Sequence, residues 1–131
     1  MADSVTDEEH LWRRVHHSQY VPCEGGYRVS SGAFKTAELS IDRVRILHDL
    51  GLGVPFTARD QPGVAEVTGG QLRAVDAEPE PDPIPPGDPY QPAGNPAHAI
   101  VRTPIKQKQA DVLSCVCFFH ANPAASRVTS S

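Results

Sequence analysis

Hydrogen-bond donors suited to an anion lie beside glycines in two segments of the chain. Segment 25–32, GGYRVSSG, carries a guanidinium at Arg28 and hydroxyls at Ser30 and Ser31, and a further hydroxyl, Thr68, directly precedes a Gly-Gly pair. Guanidinium, hydroxyl and backbone N–H groups are the donors that bind phosphate or carboxylate oxygens. These residues predict part of a polar cleft for a small anionic ligand. The alternative is a β-turn whose serines bond to local backbone and whose arginine is solvated.

One histidine is placed where it could accept a proton. His98 lies in segment 95–99, NPAHA, where a proline fixes the approach of the backbone and small neighbours leave room around the imidazole. A histidine in such a setting acts as a general base or a hydrogen-bond donor. His98 is therefore the candidate catalytic residue and the fifth candidate for ligand binding. The alternative is a structural histidine that donates one hydrogen bond inside the core.

Other chemistries lack their sequence motifs. The chain contains no G-x-G-x-x-G, G-x-x-x-x-G-K-[ST], G-x-S-x-G or H-E-x-x-H pattern, so four common enzyme templates do not apply. The histidines lack chelating spacing, and Cys115 and Cys117 form a C-x-C without the second pair that structural zinc requires. The sequence predicts neither a metal nor a cofactor. A nucleophile pair between His98 and Cys23 or a serine stays open, because such partners meet only in the fold.

Composition restricts the class of protein. The 131 residues include twelve Lys and Arg against sixteen Asp and Glu, for a formal net charge of −4, and 39% are hydrophobic. No apolar run approaches the roughly 18–20 residues that span a bilayer, and the N-terminal sequence MADSVTDEEH lacks the apolar centre of a signal peptide. We expect a soluble, cytoplasmic protein with no membrane contact. The acidic balance also argues against a nucleic-acid partner.

Hydrophobic periodicity predicts the elements that must position these residues. Thr6 and Glu9 have the spacing of a capping box, which predicts a helix over 6–17. Alternating apolar residues predict strands, at 27–31, 39–44, 63–68 and 97–101. Helical spacing predicts helices, one directly after the second strand, one at 71–75 and one at 106–117. A single helix across 38–50 is an alternative, and the proline in 54–57 favours an edge strand or loop entry there.

A proline-rich stretch interrupts this pattern. Between Pro79 and Pro96, eight of eighteen residues are proline, which predicts an extended loop without a hydrogen-bond ladder, either a functional flap or an insertion. We expect one α+β domain over 1–121 with a mixed, mostly antiparallel sheet, short helices and this loop at 78–96. Residues 122–131 are small and polar and predict a flexible tail. The modest apolar content also makes a protein partner or a homodimer an open alternative.

Five segments resemble a group of small bacterial proteins that carry no assigned biochemical activity. The segments are LWRRVH at 11–16, RVSSGAF at 28–34, ELSID at 38–42, VTGG at 67–70 and NPAHAIV at 95–101. The resemblance covers most of residues 11–102 and implies one compact unit. It is compatible with a small binding or accessory protein whose polar cleft holds an anionic small ligand or a partner protein.

A fainter similarity is to RES-type toxin domains, which have an ADP-ribosyltransferase-like fold and act on NAD. An arginine pair after a hydrophobic residue, at 13–14, and the turn GGYR at 25–28 carry it. The Trp-Asn that follows the turn in that family is Val29-Ser30 here, and 39–41 only approximates its Tyr-x-Ser element.

The similarity implies an alternative function, a nucleotide- or NAD-directed transferase or hydrolase. Arg13 or Arg28 would then hold a diphosphate, Ser30 or Ser31 the ribose, and His98 would assist proton transfer.

Overall fold

The structure, a computed structural model, describes residues 3–23 and 26–124. Within these ranges the chain forms eight strands and four helices. The strands are β1 (His10–Val15), β2 (Tyr20–Cys23), β3 (Gly26–Val29), β4 (Leu39–Arg43), β5 (Gly63–Thr68), β6 (Glu80–Pro81), β7 (His98–Val101) and β8 (Phe118–Ala121). The helices are α1 (Val44–Asp49), α2 (Val54–Ala58), α3 (Gly69–Arg73) and α4 (Gln107–Val116).

Six strands form one sheet in the order β6-β7-β4-β1-β5-β8, and β2 and β3 form a separate ribbon. All the strand pairings among the described residues are antiparallel. The α+β class is confirmed. The sheet is antiparallel in its described part rather than mixed.

Side chains of the central strand alternate between two apolar layers. Leu11 and Val15 belong to a core that also contains Leu72 of α3 and Leu113 of α4. Trp12 belongs to a smaller core on the opposite face, with residues of α1 and α2. Each face of the sheet is therefore covered by a different helix pair, as the period of two along a strand requires.

The predicted helix over 6–17 is wrong, because residues 10–15 form β1 in the middle of the sheet. A central strand that is covered on both faces loses the strict apolar–polar alternation of a half-exposed strand. The apolar spacing of β1 therefore imitates a helical stripe. The supposed capping residue Glu9 instead directs its carboxylate to the buried guanidinium of Arg43, with a bidentate contact at 2.6 and 2.9 Å.

Most of the remaining elements are confirmed, and two are wrong. The strand predicted over 39–44 is present as β4, which ends one residue earlier and is followed at once by helix α1, and β5, β7 and α4 are present as well. Residues 54–57 belong to helix α2. Pro55 fits there because it lies in the first turn, where the N–H that a proline lacks would have no partner within the helix. The pair Phe118–Phe119, whose apolar character after 106–117 predicts a continuation of the apolar surface of that helix, instead begins β8.

The proline-rich stretch does form a ladder, contrary to expectation. Its prolines at 79, 81, 83 and 85 alternate with residues that keep their N–H. The N–H of Asp82 donates to the carbonyl of His98 at 2.9 Å, and the N–H of Ile84 donates to that of Asn95 at 2.9 Å. Because alternate residues of a strand direct their N–H groups to opposite sides, the prolines leave the ladder intact.

The end of the described chain is anchored. Asn122 is fully buried, and its backbone N–H donates to the carbonyl of Pro62 at 2.8 Å. The predicted flexible tail over 122–131 therefore does not begin at Asn122, and its residues 125–131 lie outside the described residues. None of the helices in ranges 3–23 and 26–124 has the length and apolar character needed to span a membrane.

Candidate functional site

A cavity of about 390 Å³ opens on the face of the sheet that carries Trp12. Its floor comes from β1, β4 and β7, one wall comes from α2 and the turn after it, and the opposite wall comes from the proline-rich stretch. The lining residues are Trp12, Arg13, Arg14, Ser40, Ile41, Asp42, Phe56, Thr57, Arg59, Ile84, Asp88, Tyr90, Gln91, Asn95 and His98. Two arginine side chains, those of Arg14 and Arg59, thus meet His98 and two aspartates around one small space.

Two of the arginines have unused donors. Arg14 projects from β1 on the same face as Trp12, and its Nε is buried without a hydrogen-bond partner among the described residues. Arg59 lies at the cavity wall, and its guanidinium forms no hydrogen bond or ion pair with residues 3–23 and 26–124. Burial, followed by the positive charge of Arg59, lowers the pKa of Arg14. The guanidinium groups of Arg14 and Arg59 repel each other while Asp42 and Asp60 attract Arg14, and an anion between the two arginines would relieve the repulsion.

The third arginine is engaged by the protein itself. Arg13 donates from Nε to the carbonyl of Ala33 at 2.9 Å and from a terminal nitrogen to the carbonyl of Ser40 at 3.1 Å. Burial, with a smaller effect from the neighbouring Arg14, lowers the pKa of Arg13 to about 10. Arg13 is therefore still protonated at neutral pH, and its guanidinium is held on the face of the sheet that carries Leu11, opposite the face that carries Trp12.

Both carboxylates of the cavity are occupied by structural hydrogen bonds. Asp42, which is buried, accepts from the hydroxyl of Thr57 at 2.7 Å and from the amide of Asn95 at 2.8 Å. Asp88 accepts from the backbone N–H groups of Tyr90 and Gln91 at 2.9 and 3.0 Å. The aspartates thus fix the walls, whereas the cations of Arg14 and Arg59 stay available.

Arg59 has a backbone conformation that L-residues rarely adopt. Its φ is 57° and its ψ is −116°, outside the compact left-handed region. The side-chain amide of Asn122 donates to the carbonyl of Arg59 at 2.8 Å and to that of Gln61 at 3.0 Å. A strained residue persists where surrounding contacts over-determine it, and such residues concentrate at functional sites. Buried Asn122 thus acts as a clamp that positions the guanidinium-bearing turn.

His98 is oriented by an aspartate behind it. Its Nδ1 lies 2.9 Å from the backbone carbonyl of Asp82 and 3.1 Å from a carboxylate oxygen of the same residue. The other ring nitrogen, Nε2, has no hydrogen-bond partner in the described part of the chain. Both oxygens at Nδ1 are acceptors, so in a neutral imidazole Nδ1 carries the proton and donates the hydrogen bond. Nε2 is then unprotonated and free to accept a proton. His98 therefore has the orientation of a general base, and its ring lines the cavity.

The proline-rich stretch closes one side of the cavity as a bonded flap over residues 84–95. Ile84 and Asn95 exchange backbone hydrogen bonds of 2.9 and 2.7 Å at its base, and the N–H of Gly87 donates to the carbonyl of Pro92 at 2.8 Å within it. The amide of Asn95 also attaches the flap to Asp42 on the sheet. The flap is thus part of the binding wall rather than an unattached insertion.

A second cluster on the same face surrounds Glu66. Its two carboxylate oxygens contact Nε2 of His120 at 2.9 Å and Nδ1 of His10 at 2.8 Å, and the indole N–H of Trp12 donates to it at 2.9 Å. The carboxylate is thus saturated by protein donors. Across residues 3–23 and 26–124, no group of three or more His, Cys, Asp or Glu side chains has the arrangement of a metal site.

The structure brings only one of the five predicted ligand-binding residues to the cavity. His98 lines it, together with the predicted flap. Arg28 lies in the β2–β3 ribbon opposite Val21. Ser31 accepts a hydrogen bond from Gln107 of α4 at 2.9 Å.

Ser30 and Thr68 have local structural contacts. Ser30 precedes a 3₁₀ turn, and its N–H donates to the carbonyl of Gln19 at 2.8 Å. Thr68 caps helix α3, where its hydroxyl accepts from the N–H of Gln71 at 3.1 Å. The hydroxyls and Arg28 therefore do not converge with His98 on one cleft.

The ligand-binding residues predicted from the sequence do not include Arg14 or Arg59, although Arg14 belongs to the arginine pair that carries the similarity to toxin domains. The wrongly predicted helix over 6–17 places Arg14 beside an apolar face. A strand over 10–15 instead places Arg14 on the same face as Trp12, because alternate residues of a strand share a face. Arg59 has no sequence signal, because its strained turn depends on Asn122, which lies far along the chain.

No protein-family model, curated protein or solved structure matches the chain.

Proposed function

We propose that this chain is a small binding protein whose sheet cavity holds a small anionic ligand between Arg14 and Arg59. The observation that carries the proposal is the buried Nε of Arg14, which lacks a partner among the described residues while the aspartates of the cavity are already bonded. An unsatisfied buried donor is unfavourable unless something else satisfies it. A carboxylate, phosphate or sulfate oxygen would supply the missing acceptor.

The size of the cavity supports a ligand of few atoms. A volume of about 390 Å³ is near the lower end of the range of roughly 300–1,000 Å³ that small-molecule sites occupy. The aromatic rings of Trp12, Phe56 and Tyr90 supply flat apolar walls beside the arginines. The favoured ligand therefore combines one oxyanion with a small apolar or planar body.

A cytoplasmic location belongs to the same proposal. Cys23, Cys115 and Cys117 are all free thiols. Free thiols are typical of a reducing compartment, where disulfides are rare.

A thermal-shift titration with inorganic phosphate, against sodium chloride at matched ionic strength, tests the binding function. A ligand that binds only the native state raises the melting temperature by mass action, so the wild-type protein should be stabilised by phosphate beyond the salt control. Arg14→Met and Arg59→Met should lose this response. Arg28→Met is the matched control, because it removes the same charge from the distant β2–β3 ribbon, and its response should equal that of the wild type.

The binding function is rejected if phosphate, sulfate and acetate all match the chloride control in the wild type. It is also rejected if Arg28→Met removes the response as completely as Arg14→Met does. A response that survives Arg14→Met but not Arg59→Met would leave anion binding in place and remove the role of the buried Nε.

A second candidate function is a nucleotide- or NAD-directed transferase or hydrolase, and the orientation of His98 favours it. With Nδ1 held by Asp82, Nε2 could take a proton from an attacking hydroxyl while the arginines hold a phosphate. Incubation with NAD and nucleoside phosphates, followed by chromatography, tests it. Turnover in the wild type that His98→Gln abolishes, with anion-induced stabilisation retained, would support the enzyme. The absence of products would leave only the binding function.

A further inference from the structure

The two edges of the six-stranded sheet differ in their protection. Edge strand β6 is only two residues long, and acidic residues and prolines alternate over 80–83. Arg102 adds ion pairs to Glu80 at 3.6 Å and to Asp82 at 3.4 Å. Short length, charge and proline are the devices by which natural sheets prevent further strand addition. This edge is closed to another strand.

The opposite edge, β8, lacks these devices. It is four residues long, it pairs only with β5 in the described sheet, and residues 112–124 contain no Asp, Glu, Lys or Arg. Large apolar side chains stand exposed around it, with Phe118 63% exposed, Val112 47% and Val116 43%. Val112 and Val116 share one side of α4, since residues four apart lie on the same face of a helix. An apolar and uncharged surface thus borders the open strand.

The charge distribution favours a second copy of this chain as the occupant of that surface. With a formal net charge of −4, two copies repel each other over most approaches. The stretch 112–124 adds no Asp, Glu, Lys or Arg to this repulsion, and its exposed apolar side chains gain from being covered. A strand that pairs antiparallel with its own copy about a two-fold axis also needs no complementary partner surface.

We propose that the protein forms a homodimer by antiparallel pairing of β8 with β8 of a second copy, which joins the two sheets. Phe118 lies at this junction on the face that carries Trp12, and the exposed valines of α4 flank the junction on the opposite face. Because β6 is protected, the six-stranded sheet of each copy has one open edge, so pairing through this sheet ends at two chains and does not continue into a fibre. The dimer leaves the cavity of each chain on its own sheet and does not depend on the proposed ligand.

Sedimentation velocity of the full chain over a range of concentrations tests the dimer. We expect the wild type to sediment with the mass of two chains and Phe118→Glu to sediment as a monomer, with a dissociation constant raised more than about a hundredfold because the substitution places two like charges across the junction. Leu50→Glu is the matched control, because Leu50 is also apolar and 51% exposed but follows α1. It should dimerise as the wild type does.

Hydrogen exchange of the backbone amides of 118–121 separates the alternatives. Protection in the wild type that is lost in Phe118→Glu supports β8 pairing. A wild type that is monomeric at every concentration overturns the dimer, whether its β8 amides exchange freely or are protected by residues 125–131 of the same chain. A dimer that persists in Phe118→Glu also overturns it. If that variant fails to fold by circular dichroism, Val116→Glu carries the same test.

Discussion

Replacing Arg14 by methionine should stabilise the free protein while it removes anion binding. Methionine keeps most of the aliphatic volume of the side chain and discards the guanidinium, whose buried Nε lacks a partner among the described residues. The substitution therefore distinguishes two roles for Arg14, binding of a ligand and stabilisation of the fold. Sites that hold unsatisfied or strained groups commonly gain stability when those groups are removed.

The magnitude follows from two contributions of the same sign and one that opposes them. Removing an unsatisfied buried donor stabilises by about 1–3 kcal/mol. Relief of the repulsion from Arg59, which lowers the pKa of Arg14, adds a few tenths of a kcal/mol, because solvent around exposed Arg59 screens the repulsion. Loss of the attraction to Asp42 and Asp60 acts in the opposite direction. We expect a net increase of about 1–2 kcal/mol in the free energy of unfolding.

Arg43→Met is the matched control with the opposite sign. Arg43 is 1% exposed and makes the bidentate contact with Glu9. Its removal leaves a buried carboxylate unpaired, which destabilises by about 3–5 kcal/mol. The same chemical change at two arginines should therefore shift stability in opposite directions.

Urea unfolding followed by circular dichroism measures both changes, in phosphate-free buffer. An Arg14→Met protein that is less stable than the wild type by more than about 1 kcal/mol would show that Arg14 holds the fold together, and the interpretation of its free Nε would be refuted.

Three further perturbations have defined outcomes. Gly63→Ala should lower the free energy of unfolding by about 2–3 kcal/mol in urea, because the new methyl group would collide with the backbone carbonyl of His120. An unchanged urea midpoint would show that β8 can move away from β5 at little cost. Burial raises the pKa of Glu66, but hydrogen bonds from Trp12 and His120 outweigh it and bring the pKa below the ordinary 4.5. The ionised carboxylate of Glu66 therefore stabilises the fold fully above pH 4.5, and this contribution is lost as the pH falls through the lower folded pKa. Glu66→Gln should lose less stability than the wild type on acidification. Equal losses in both proteins would contradict the lowered pKa of Glu66. Burial raises the pKa of the Cys117 thiol to about 11, so a thiol reagent at neutral pH should label the two exposed cysteines first, and equal labelling of all three would exclude that burial.

The local elements were predictable where one face of an element meets solvent or where a turn marks its end. The strand over 39–43 and the helix after it follow from a change of period within a few residues. The central strand β1 was not predictable in this way, because apolar cover on both faces removes its alternation. Helix α2 was predicted as an edge strand or loop entry because of its proline. A proline is compatible with an edge strand and also with the first turn of a helix, where Pro55 lies.

The candidate site was predictable in part. The flap and His98 were identified, since proline content and a small-His-small run are local signals. The convergence of Arg14 and Arg59 was not, because it depends on strand order in the sheet and on the contact of Asn122 with the turn at Arg59. Glycine-adjacent hydroxyls were misleading, since Thr68 uses its oxygen to cap a helix.

The most direct test of anion binding is a proton–nitrogen NMR spectrum of the arginine Nε–H groups during titration with inorganic phosphate. The Arg14 signal is assigned by its absence in Arg14→Met. We predict that this signal shifts and saturates as phosphate is added, while the signals of Arg28 and buried Arg43 stay in place. An Arg14 signal that does not move, or that moves no more than that of Arg28, would contradict the proposed site.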